Sequence, residues 1–198
     1  MKRTETLSEH LVSYKERVNS LLDLIKLEEL EDVVTAFIDT FKAGKTVYVA
    51  GNGGSAATAS HMQADFRFFV RYFSKFRPKI TAITDNAPLM TAVGNDTDFH
   101  DIFVEQLRGV IGEGDTLLLI SASGNSPNLV RAAEFANSQG ATTAAFIGFK
   151  GGKLKDVCKY KVYTPNQDKD YGPIEDIHMI LNHIIVNYLA KDEEFLSL

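Results

Sequence analysis

Apolar positions recur at two periods along this chain, and the two periods alternate. Leu11, Tyr14, Val18, Leu21 and Ile25 stand three and four apart, which sets them on one face of a long first helix. Leu30, Val33, Val34, Phe37 and Phe41 repeat the pattern in a second helix closed by Gly44. Short, nearly unbroken apolar runs follow at residues 46–50, 80–84, 117–120, 143–147 and 161–163, as in strands buried on both faces of a parallel sheet. Between them the spacing predicts a helix after GNGGS, a short helix ahead of Gly94, an amphipathic helix over 99–111, a helix over 127–138 stopped by Gly140, a short helix after Gly152, and a last helix from 174 to about 189. This order predicts an α/β fold: a three-layer αβα sandwich on a five-stranded parallel sheet, preceded by two N-terminal helices. The first helix precedes every strand and serves no crossover, which makes its seam a candidate surface for another subunit.

The 198 residues suit one well-buried domain over 1–198, and 44% hydrophobic with 24% charged residues is the balance of a globular protein. A formal charge of −5 and a pI near 5.5 argue against nucleic acid and anionic membrane as partners. The single cysteine, Cys158, allows no internal disulfide, and residues 1–17 carry scattered charges instead of a signal-like apolar run, so a cytoplasmic location is expected. One segment departs from the acidic whole: residues 66–78, FRFFVRYFSKFRP, are aromatic and basic. A helix end leading into a partner contact accounts for it better than nucleic-acid stacking does.

Chemistry concentrates where strands end. The run TLLLISASGNSPN passes from a strand through Ser121, Ala122, Ser123, Gly124 and Asn125 to Ser126 as N-cap and Pro127 at the first helical position. Hydroxyls beside unpaired helix N–H groups suit a phosphate, whereas an ordinary capped loop needs only one of them. The first strand runs into Gly51, Asn52, Gly53, Gly54 and Ser55, which fits neither the dinucleotide fingerprint nor a Walker loop. Both loops leave carboxyl ends of strands and so are expected to flank one crevice. His61 and Asp65 lie four apart on one helix face. In the last helix stand Glu175, Asp176, His178 and His183, of which Glu175 and His183 differ by about 80° and about 12 Å along the axis. Two imidazoles with two carboxylates suit a divalent transition ion, zinc first. As an alternative, each of these is a surface or capping group.

GNGGSAATASHMQADF paired with LISASGNSPN, an intervening VGND and a closing IEDIHMILNH resemble the sugar isomerase (SIS) domain family, most nearly its bacterial phosphoheptose isomerases. The resemblance implies a flavodoxin-like SIS fold and an aldose–ketose isomerase that converts sedoheptulose 7-phosphate to D-glycero-D-manno-heptose 7-phosphate, for lipopolysaccharide or capsule, through an ene-diol. It implies a phosphate clamp of Ser121, Ala122, Ser123 and Ser126, substrate contacts from Asn52, Gly53, Gly54, Ser55, Asn95, Asp96, Asp65 and Glu175, and Asp65 and His183 as base and acid. It further implies one zinc ion per subunit on His61, Asp65, Glu175 and His183, and a homotetramer with shared active sites. A non-catalytic SIS module that binds a replication initiator or senses a phosphosugar is the alternative. The chain departs from the family pattern at Asp65 (usually Glu), Glu175 (usually Gln), Ala122 (often Thr) and Ala56 (His in some members).

Overall fold

A computed structural model describes residues 5–198. Thr6 opens the first helix, α1 (Leu7–Leu22), with a capping box: its hydroxyl accepts from the Glu9 N–H, and the Glu9 carboxylate accepts from the Thr6 N–H. α2 (Leu27–Lys42) follows, and Gly44 ends it at a φ of +66°. The remaining elements alternate: β1 (Val47–Gly51), α3 (Gly54–Ala64), β2 (Ile80–Ala82), α4 (Ala87–Asp96), α5 (Val104–Leu107), β3 (Thr116–Ser121), α6 (Pro127–Ser138), β4 (Thr142–Ile147), α7 (Leu154–Val157), β5 (Tyr160–Tyr163), α8 (Tyr171–Leu189) and α9 (Glu193–Leu196).

The five strands form one parallel sheet in the order β2-β1-β3-β4-β5. Winding reverses between β1 and β3, so the crevice for a ligand opens where those two strands end. Along β3 alternate side chains serve opposite layers. Leu118 and Ile120 meet α2, α3 and α8 through Phe37, Met62 and Leu181, while Leu117 and Leu119 meet α5 and α6 through Leu107 and Ala133.

The apolar seam of α1 divides. Leu21 is buried and Val18, Leu22 and Ile25 pack against the chain's own core, whereas Leu7, Leu11 and Val12 stay exposed. Tyr14 donates to Asp176 at 2.6 Å and Arg17 to Asp170 at 2.9 Å, which ties α1 to α8. Residues 66–78 divide likewise: Phe66, Val70 and Phe76 join an aromatic cluster with Phe41 and Phe195. Phe68 and Tyr72 face outward with the Arg71 guanidinium stacked on both rings.

Two expectations change. The helix over 99–111 is instead a 3₁₀ turn (Phe99–Asp101) followed by the single turn of α5. Asp98 caps His100, Arg131 of α6 grips Asp98 and Asp101, and Gly109 at a φ of +73° ends the stretch. Gly94, Asn95 and Asp96 lie within the last turn of α4, because Asn86 caps that helix and nothing interrupts it before Thr97.

His178 of α8 faces the core with neither ring nitrogen hydrogen-bonded among the described residues, and burial drives its pKa from the ordinary 6.5 down to about 3. The unfolded chain takes up a proton near pH 6.5 and the folded chain only near 3. Stability from this group is therefore whole above the upper value and falls with pH between the two, by up to about 1.4 kcal/mol per pH unit. His178→Leu should flatten the decline of the thermal midpoint from pH 6.5 to 4. Parallel declines in wild type and variant would contradict it.

Candidate active site

The two strand-end loops meet. Asn52, Ser55, Ser121, Ala122, Ser123 and Ser126 line one cavity of about 130 Å³, joined by Tyr171 and Glu175 at the start of α8. Asn128, which the sequence reading passed over, fixes the approach: the side-chain amides of Asn52 and Asn128 each donate to the other's oxygen, at 2.9 and 3.0 Å. Asn128 is buried and its Oδ1 also accepts from the Leu129 N–H, so the first turn of α6 is locked to the glycine loop. An Asn one position past the helix-opening proline was the only signal for it.

The serines are set up as donors. Ser121 Oγ accepts from the Gly124 N–H at 3.0 Å and Ser123 Oγ from the Asn125 N–H at 3.2 Å, which leaves each hydroxyl proton for a ligand. Ser126 occupies the N-cap position but its side chain makes no cap hydrogen bond, so that hydroxyl is uncommitted as well. Gly53 opens α3 at φ +55° and ψ −123°, a conformation open to glycine and strained for other residues. Gly54 lies directly beneath Glu175: a Cβ there would stand 2.6 Å from the Glu175 carboxyl carbon. Burial, followed by the neighbouring Asp176 charge, raises the Glu175 pKa, so this group keeps its proton to higher pH than a free glutamate.

Beyond the cavity, α3 and α8 bring three donors together. His61 Nε2 and His183 Nε2 are 3.1 Å apart, Asp65 Oδ2 is 3.2 Å from the first and 3.8 Å from the second, and all three side chains are partly open to solvent. Ligand atoms about 2.1 Å from a tetrahedral zinc ion stand about 3.4 Å from one another. The three observed edges bracket that spacing, so these residues are placed to hold one metal ion between them. At Asp65 the helix changes from α to π geometry, over Asp65–Phe69. Asp65 Oδ2 also accepts from Asn182 Nδ2 at 2.8 Å, while Oδ1 has no hydrogen-bond partner among the described residues.

Three expected site residues lie outside the donor group or the cavity on this chain. Glu175 lies outside the donor group and faces the serine cavity instead, as its offset from His183 along α8 requires. Asn95 and Asp96 are exposed on α4, hydrogen-bonded to each other at 2.6 Å, and do not line the cavity.

The model of the SIS domain family matches residues 13–148, well over half of the chain. Phosphoheptose isomerase of Clostridium acetobutylicum is 35% identical over 181 residues, covering 91% of this chain and 90% of the relative. That of Fusobacterium nucleatum is 37% identical over 184 residues, covering 90% and 92%. Among solved structures, phosphoheptose isomerase GmhA from Neisseria gonorrhoeae superposes with a TM-score of 0.81 at 25% identity, over 92% of this chain and 95% of that one. A phosphoheptose isomerase from Francisella tularensis, at 24% identity, shares the fold with a TM-score of 0.84 over 97% and 100%. With the family model spanning both strand-end loops and relatives at 35–37% identity covering nine-tenths of its length, the chain belongs to the SIS domain family, in the branch of the phosphoheptose isomerases.

Proposed function

We propose that this protein interconverts sedoheptulose 7-phosphate and D-glycero-D-manno-heptose 7-phosphate, supplying a heptose for lipopolysaccharide or capsule. The observation that carries the reading is the pairing of a hydroxyl-lined cavity with the His61–Asp65–His183 triangle, in a chain 35–37% identical to phosphoheptose isomerases. A cavity of about 130 Å³ suits the phosphate end, where Ser121, Ser123 and Ser126 donate and the α6 N-terminus adds its partial positive charge. Anchored there, the open-chain sugar extends toward the triangle, and binding energy spent far from the reacting carbons holds them in register.

Isomerisation needs a base for the proton on the carbon beside the carbonyl and an acid to move a proton between the two oxygens. Asp65, through its unengaged Oδ1, and His183 are assigned these roles. Glu175 lines the serine cavity and is placed to contact the sugar or its phosphate. As the alternative to His183 acting as the acid, His61, Asp65 and His183 would hold a zinc ion, and the bound ion would supply Lewis-acid polarisation of the carbonyl in place of that proton donor.

The site reads as part of a cytoplasmic homotetramer in which a neighbouring subunit completes the pocket, since 130 Å³ falls short of the roughly 300 Å³ or more of most ligand pockets. Leu7, Leu11 and Val12 on α1, and an apolar groove of about 480 Å³ lined by Leu30, Val34, Ile184 and Tyr188, offer surface for that neighbour. Among the described residues no helix is long and apolar enough to cross a membrane. A purely binding SIS module would leave the donor triangle idle, and no observation favours that alternative.

Incubation with sedoheptulose 7-phosphate in D₂O should yield the aldose phosphate with solvent deuterium at the carbon next to the carbonyl. Folded protein that gives no turnover with or without zinc would remove the proposal.

A further inference from the structure

Asn182 precedes His183 on α8 and is fully enclosed. Its Nδ2 donates to Asp65 Oδ2 at 2.8 Å, the same oxygen that faces both imidazole nitrogens. Its own Oδ1 is buried with no hydrogen-bond partner among the described residues. Turning the amide over would set a carbonyl oxygen against a carboxylate oxygen, so Asp65 dictates the orientation and the orphaned oxygen is the consequence. A leucine, close in size, would fill the same space and strand no polar atom. For packing alone asparagine is a poor occupant, and its one productive contact is with Asp65.

The carboxylate needs that contact. The terminal torsion of an aspartate is soft, and the two histidines facing Asp65 are each nearly half exposed, with side-chain accessibilities of 46% and 48%. Among the described residues, the only enclosed group that holds Oδ2 is the Asn182 amide. We propose that Asn182 is a positioning residue that fixes the rotamer of Asp65, and with it the third corner of the donor triangle. Its amide thereby sets how well that triangle takes a divalent cation and how well Asp65 moves a proton. This rests on reading the triangle as the reaction centre.

The test compares wild type with Asn182→Leu and, in case leucine does not fit, Asn182→Ser. Zinc affinity is read by chelator competition, together with kcat, KM, the thermal midpoint and crystal structures of the variants. Loss of an outer partner to a metal-binding carboxylate is expected to weaken zinc by about 10–100-fold. kcat should fall while KM stays within about twofold, because Asn182 does not line the serine cavity. The midpoint of Asn182→Leu should hold or rise, and in an Asp65→Asn background the same change should leave zinc affinity unaltered. Unchanged zinc affinity and kcat in the variants overturn the proposal, as does a lowered midpoint with zinc affinity intact, which marks a packing role. Should wild type neither bind zinc nor isomerise the sugar, the reaction-centre reading fails; Asn182 is then decided by whether the Asp65 carboxylate turns in the variant crystals.

Discussion

Asp65→Asn is expected to lower kcat about 10²–10⁴-fold with little change in KM, the range set by removing a general base. Asparagine matches aspartate in size, and Asp65 is only partly buried, so the fold should keep its thermal midpoint within a few degrees. What disappears is the negative charge beside two imidazole nitrogens and the oxygen left to take a proton. Because Asp65 is absent from the serine cavity, phosphate anchoring continues. Initial-rate kinetics over a range of substrate concentrations check the separation of kcat from KM. A loss confined to KM would transfer Asp65 from chemistry to binding.

Gly124→Ala carries the second large effect, on stability and on KM together. Gly124 adopts a φ of +63°, where an L-residue costs about 1–2 kcal/mol. A Cβ at that position would also overlap the Gly151 carbonyl group, with the carbonyl carbon 2.7 Å away. That neighbour is backbone and cannot swing aside, so overpacking adds about 1–3 kcal/mol. A total of about 3 kcal/mol corresponds to a fall of roughly 6–12 °C in the midpoint for a chain of this size. The Gly124 N–H holds the Ser121 hydroxyl and its carbonyl accepts from Leu154, so displacing the loop spoils the phosphate cradle and KM should rise. Gly109→Ala is the control: its φ of +73° brings strain, but no atom lies within 4 Å of the added carbon, and the midpoint should drop less. Equal drops for the two variants would show that the contact with Gly151 contributes nothing.

Some of the site was legible because its signals are local. Ser121, Ser123 and Ser126 follow an apolar run and precede a helix-opening proline, and that order alone places hydroxyls beside free helix N–H groups. His61 and Asp65 were legible as a pair because four residues of helix make one turn. Asn128 and Asn182 were not, since an amide in an apolar helix pattern gives no sign of whether it meets solvent, core or another amide. Asn95 and Asp96 were placed by resemblance alone, and on one chain they sit on the exposed face of α4.

The sequence by itself determined the alternation of strand and helix, the parallel sheet that follows from it, and the two strand-end loops whose residues could receive a phosphate. Only the tertiary structure decided that His183, 122 positions from His61, closes to 3.1 Å from it, and that Glu175 two turns earlier faces the serines instead. Helical periodicity fixes which residues share a face of one helix. How far two helices are rotated and slid against each other is fixed by the side chains each buries on the sheet, here Ala59 and Met62 of α3 and Ile177, Leu181 and Ile185 of α8. That packing is summed over the whole core, and no local stretch of sequence contains it.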